Sequence, residues 1–145
     1  MRGLYFVLAA AVFAGSAFAA EDSAVKYRQS VMKALAGHMG ATASIIKGEA
    51  GASHHLVAHA AAISSLARMA KDVFPKGSDK GDTRALPVIW EQPQDFAQVI
   101  KAMEAATGGL VAAARSGDGI DIKNAFSAVG KACGGCHKKF RKKKK

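Results

Sequence analysis

Cysteine, aromatic residues and long apolar runs are all in short supply in this chain. Only two cysteines occur among 145 residues, Cys133 and Cys136. A structural zinc site normally takes four Cys or His ligands, and no second cluster stands elsewhere to complete one. Aromatics make up 7% of the chain while half of it is apolar. The core is therefore built from small residues, much of it alanine, and needs a large filler. No strand pattern survives, which removes the α/β setting in which C-x-x-C acts as a thioredoxin-like redox pair. Paired carboxylates and a nucleophile–base set are also missing, so the chain is not expected to be an enzyme.

What is present starts with Cys133-Gly134-Gly135-Cys136-His137, close to the C-terminus on a helical pattern. C-x-x-C-H is the run by which a c-type haem is attached. The two thiols add to the haem vinyl groups, and the adjacent imidazole binds iron from one side. Positions i, i+3 and i+4 share one helix face, so one turn can reach one macrocycle with three bonds. A simple disulfide is the competing reading in an oxidising compartment. One covalent haem c is expected, with His137 as proximal iron ligand. His38, His54, His55 and His59 read as surface histidines. Gly134 and Gly135 each cost on the order of 1 kcal/mol in a helix relative to Ala. They either ease the approach of the macrocycle or mark positions that tolerate anything.

The N-terminus supports that assignment. Met1-Arg2, the apolar stretch Leu4 to Gly15 and Ser16-Ala17-Phe18-Ala19 have the anatomy of a cleavable secretory signal peptide. The apolar stretch is too short to span a bilayer. Residues 1–19 are thus expected to be a leader, 20–141 one domain and 142–145 a basic tail, with the periplasm as destination. The formal charge of +10 is concentrated at one end: seven of the last eight residues are Lys or Arg. Without these and Arg2, only +2 remains, so no nucleic-acid partner is expected. The tail can attract an acidic partner or an anionic surface. The favoured reading is a solvated brush whose cations suit the end of a helix dipole.

Apolar residues recur at i, i+3, i+4 and i+7 in four stretches. The first spans Ser23 to Lys47, with Val25, Arg28, Met32, Leu35, Met39 and Ile46 on its inner stripe. A second starts near Ser53, carries Leu56, Ala60, Ile63, Leu66, Ala70 and Val73, and stops at Phe74-Pro75-Lys76-Gly77. The third starts near Pro93 and carries Phe96, Val99, Ile100, Met103, Ala106 and Leu110, with Gly117 at C′. The fourth is capped by Asp118 or Asp121 and carries Ile122, Phe126, Val129, Cys133, Cys136 and Phe140. One long connection runs from Pro75 to Gln92. An all-α, antiparallel up-down-up-down four-helix bundle around a covalently attached haem is predicted.

Val25 through Ser30, His38-Met39-Gly40, Lys47-Gly48-Glu49, Phe74-Pro75, Pro87 through Trp90 and Phe126 through Arg141 resemble the cytochrome c′ family, the class II c-type cytochromes. A C-x-x-C-H at the C-terminal end is that family's distinctive placement. The resemblance covers the mature chain and implies a place for Arg28 and Gln29 against the haem. Arg28 is also an arginine on an apolar stripe, which wants an anion such as a haem propionate or else snorkels to water. By the same resemblance Ser78 and Asp79 fall where the inter-helix loop meets the haem edge. Arg141 matches a basic residue near the proximal face.

Met32, four residues from Arg28 and on the same face, occupies the family's distal position. Its thioether either ligates iron, as in low-spin members, or packs beside a vacant sixth position. Met39, Met69 and Met103 read as core. The first outcome makes an electron carrier with protein redox partners. The second makes a five-coordinate protein that binds nitric oxide or carbon monoxide. Family members often pair as homodimers through their first two helices, a pairing the residues here leave open.

Overall fold

The computed structural model describes the backbone of residues 13–143 and side chains from residue 22 onward. Most of the expected leader, residues 1–12, lies outside the described residues, as do Lys144 and Lys145 of the tail. The elements are α1 (Phe13–Ile46), a 3-10 turn (Ser53–His55), α2 (Leu56–Met69), α3 (Val88–Glu91), α4 (Pro93–Ser116) and α5 (Gly119–Phe140). Helix α1 is described from Phe13 and so extends upstream of Ser23, where the stretch from Phe13 to Asp22 holds no proline and four alanines, alanine being the best helix former. Among the described residues, no helix is long and apolar enough to cross a membrane.

The helix ends follow from local chemistry. Gly48, at φ 77°, closes α1. Its N–H donates to Ile45 O and the Glu49 N–H donates to Ser44 O, the paired bonds of a Schellman motif. Pro93 opens α4 and Gly117, at φ 78°, ends it. Asp118 is the cap of α5: its Oδ1 accepts from the N–H groups of Ile120 and Asp121 at 2.8 and 2.9 Å. Of the two aspartates considered, Asp118 therefore caps and Asp121 sits in the first turn.

Successive long helices pack side by side, α1 on α2, α2 on α4 and α4 on α5. Ala60, Ala67 and Ala70 on the α2 side are completely enclosed, and such small residues let neighbouring backbones approach closely. The closing seam between α1 and α5 is different, because those two helices hardly touch. A bundle held on three seams and parted on the fourth has a place for a filler.

The Pro75–Gln92 connection holds more structure than its composition suggests. One turn of helix, α3, starts after Pro87 and buries Ile89. The Trp90 indole N–H donates to Phe74 O and Pro75 O, folding the connection back on itself. Residues 84–86 then meet the C-terminus. Leu86 N–H donates to Phe140 O, Lys142 N–H donates to Arg84 O, and Ala85 and Arg141 form an antiparallel bridge. The Arg84 guanidinium also donates twice to Lys142 O, at 3.0 and 2.6 Å. Lys142, the first residue of the expected basic tail, is held by its backbone. Lys139 likewise reaches Asp95 at 2.6 Å.

Candidate haem site

The parted seam contains a cavity of about 490 Å3, within the range of small-molecule and cofactor pockets. Helix α5 contributes Cys133, Cys136 and His137 to its wall; α1 contributes Arg28, Met32 and Met39. Asp118 starts α5, and from there the 3.6-residue period brings Val129 into the core and the C-x-x-C-H run onto the seam. Past the expected leader the chain has four phenylalanines, Phe74, Phe96, Phe126 and Phe140. Three of them line this cavity. Phe74 meets Phe96 edge-on at 5.0 Å between centroids, and Phe96 meets Phe140 at 5.2 Å, the favoured T-shaped geometry. The scarce aromatics are thus gathered round the space.

The electrostatics decide which chemistry the run can perform. Burial pushes both thiols above their ordinary value; Cys136 rises to about 11, with the neighbouring Cys133 adding to burial and Arg141 opposing it. A redox pair of the thioredoxin type needs a depressed thiol, and this is the reverse. The two cysteines are free in this structure. Among the described residues no group of three or more Cys, His, Asp or Glu is placed to hold a metal ion. His137 is pushed down, first by burial and then by the positive charges of Arg141 and Arg84. It stays neutral near pH 7, the form in which an imidazole nitrogen offers a lone pair to a metal.

The remaining expected residues divide. Arg28 reaches the cavity yet is only 4% exposed. Its Nη1 donates to Ser78 Oγ at 2.8 Å and to Val73 O at 3.3 Å. Nη2 donates to Ser78 O at 2.9 Å and Thr83 Oγ1 at 2.8 Å, and the guanidinium lies over Phe74, 4.8 Å from the ring centre. Arg28 therefore clamps α1 to the 73–83 loop, a role that sequence reasoning missed. Gln29 also lines the cavity and donates from Nε2 to Asp82 O at 2.7 Å. Ser78 is buried, and its hydroxyl donates to Pro75 O. Neither Ser78 nor Asp79 lines the cavity; the loop presents Thr83, Arg84 and Ala85 instead. The bridge to the C-terminus puts them there, a pairing between distant segments that no local pattern announces.

A cavity on the open seam, with two neutral thiols and a neutral imidazole on one wall and a thioether on the other, suits a haem attached through Cys133 and Cys136. The family model described as Cytochrome C′ matches residues 23–141. This chain belongs to the cytochrome c′ family. Cytochrome c′ of Rubrivivax gelatinosus is 35% identical over 128 residues, covering 87% of this chain and 99% of the relative. A ferrous variant of the Alcaligenes xylosoxidans protein with bound NO superposes at TM-score 0.79 and 33% identity, over 86% of this chain and 97% of that one. A carbon monoxide-bound variant of the same protein gives 0.78 and 33%, over 85% and 97%. As a member of the cytochrome c′ family, the chain carries one covalent haem c. When bound, that group supplies an iron that cycles between ferrous and ferric.

Proposed function

We propose that this chain is a periplasmic electron carrier, exported by residues 1–19, whose haem c is bound through Cys133 and Cys136. His137 is the proximal ligand and Met32 the distal one. The observation that carries this reading is that Met32 on α1 and His137 on α5 line the same cavity from the two helices that part. A thioether opposite an imidazole raises the potential of a haem. Arg28 and Gln29 stand at the cavity wall and would hold a propionate there, Arg28 through its Nε–H, since its bonds to the loop use Nη1 and Nη2. The mouth beside His137 is basic, with Arg84, Lys138, Arg141, Lys142 and Lys143 around a second cavity. That charge suits an acidic redox protein as partner. A homodimer would draw on Tyr27 of α1 and Val57 of α2, large apolar side chains that remain exposed.

The gas-binding alternative draws support from the two relatives that hold NO and CO. Met32 is only half-buried and its side chain is flexible, so it could stand aside. The optical spectrum of the oxidised and reduced protein separates the two readings. Low-spin bands that Met32→Ala converts to high-spin, with faster carbon monoxide binding, are the expected result. A wild type already high-spin and open to gas would hand the function to the alternative.

A further inference from the structure

Four of the five histidines stand away from the haem cavity, and the fold collects them where α1 meets the start of α2. His38 comes from α1, His54 and His55 from the 3-10 turn, and His59 from α2. The Nδ1 atoms of His38 and His59 are 2.9 Å apart, with ring centroids at 5.2 Å. His55 precedes His59 by four residues, one helical turn, and its ring centre lies 6.5 Å from that of His59. His38 and His59 are half-buried while His54 and His55 are exposed.

We propose that His38 and His59 form a second metal site, one that takes a late divalent transition ion, copper(II) above all, independently of the haem iron. Imidazole nitrogen is a ligand suited to copper, nickel and zinc, and copper(II) binds most strongly in that series. The geometry narrows the choice. With metal–nitrogen bonds of about 2.0–2.1 Å, a 2.9 Å separation between the two nitrogens subtends about 90° at the metal. That is the cis angle of a square-planar or tetragonal centre, the geometry of copper(II) or nickel(II). A tetrahedral centre with the same bonds would need the nitrogens about 3.3 Å apart.

The same separation also fits an N–H···N hydrogen bond, and passing from that bond to the metal takes a proton shift and a turn of both rings, because lone pairs that face each other must converge on an ion to one side. In the hydrogen-bonded pair, one Nδ1 carries a proton and the other accepts it. Moving that proton to Nε2 of its own ring frees both Nδ1 lone pairs for the metal, with no net proton released from a neutral pair. Among the described residues no third Cys, His, Asp or Glu completes a preformed set. Water therefore fills the remaining positions, and His55 becomes a third ligand only by turning about its side-chain bonds.

Copper(II) chloride titrated into the haem-loaded protein, followed by calorimetry, tests the site; the attached haem keeps Cys133, Cys136 and His137 engaged. One ion per chain is expected. His38→Gln and His59→Gln should each weaken binding by about tenfold or more, His55→Gln by less, and His54→Gln not at all. An unchanged haem spectrum shows that each variant is folded, and His59→Gln carries the test if His38→Gln is not. Wild-type affinity in the His38→Gln/His59→Gln protein overturns the proposal. So does an equal loss from all four single variants, which would mean diffuse adsorption to surface histidines.

Discussion

At one end of the bundle Leu35, Leu56, Ile63, Leu110, Ile122 and Val129 close on one another. At the other, Phe96, Ile100, Met103 and Phe140 form a second cluster and surround the cavity. Both ends come from the same helices and the same alternation of apolar positions. They differ in what lies between α1 and α5. Aliphatic side chains fill most of the first end from within the chain, with Leu35 at the boundary because it also lines the cavity, so the stability of that end is chiefly a property of the polypeptide. The second end uses aromatic walls and an arginine clamp to hold a space open, and its stability depends on the group that enters. Cys133 packs against both clusters, so the proposed covalent anchor stands at the border between them.

The largest effect on this contrast should come from Cys133→Ala/Cys136→Ala. Haem staining after denaturing electrophoresis should vanish. Hydrogen exchange should then become fast for backbone amides around Phe96 and Phe140 while those around Leu110 and Ile63 stay protected, since local stability follows buried apolar contact. A variant that still stains would sink covalent attachment. Uniform loss of protection would show that the two ends fold as one unit and share the haem's contribution.

Leu110→Ala attacks the closed end. Leu110 is fully enclosed, and truncating such a residue costs about 2–5 kcal/mol through lost transfer energy and the cavity left behind. The midpoint of chemical denaturation should fall accordingly while the haem absorption of the folded protein stays put. A shifted spectrum would mean that packing is transmitted to the iron and that the border at Cys133 is soft.

Arg28→Leu belongs to the open end and should cost about 2 kcal/mol, because its bonded acceptors on Val73, Ser78 and Thr83 lose a buried partner. Removing a cation beside the haem also favours the ferric form, so the midpoint potential should drop. A destabilised protein whose potential does not move would confine Arg28 to clamping the loop and end its proposed role at a propionate.

Much of this division could be read in the chain. The C-x-x-C-H run, the four apolar stripes and the caps near Gly117 and Asp118 are local features, each set by residues within one or two turns. What escaped reading depends on pairs far apart. Arg28 finds Ser78 and Thr83 about fifty positions away, and Arg84 finds Lys142 at a similar remove. Helix α3 was hidden because a single turn shows no period. The register of the 75–92 connection is set by the Trp90 indole and the bridge to Arg141, so Ser78 turns to the clamp and Thr83, Arg84 and Ala85 take the wall. Periodicity reports which face a residue occupies, and it is silent on which loop carbonyl awaits a buried guanidinium.

The smallest effect should follow from Asp118→Ala. Its carboxylate accepts two of the N–H groups that the first turn of α5 leaves without helical partners, and losing such a cap costs about 1 kcal/mol. The cap sits fifteen residues before Cys133, at the closed end, so fraying there should stop where Ile122 and Val129 are buried. Thermal unfolding should shift down by a few degrees, roughly 2–8 °C for a domain of this size. The haem spectrum and the midpoint potential should be those of the wild type. If the potential moves instead, α5 transmits strain along its length to His137, and the aliphatic end helps to set the chemistry of the haem end.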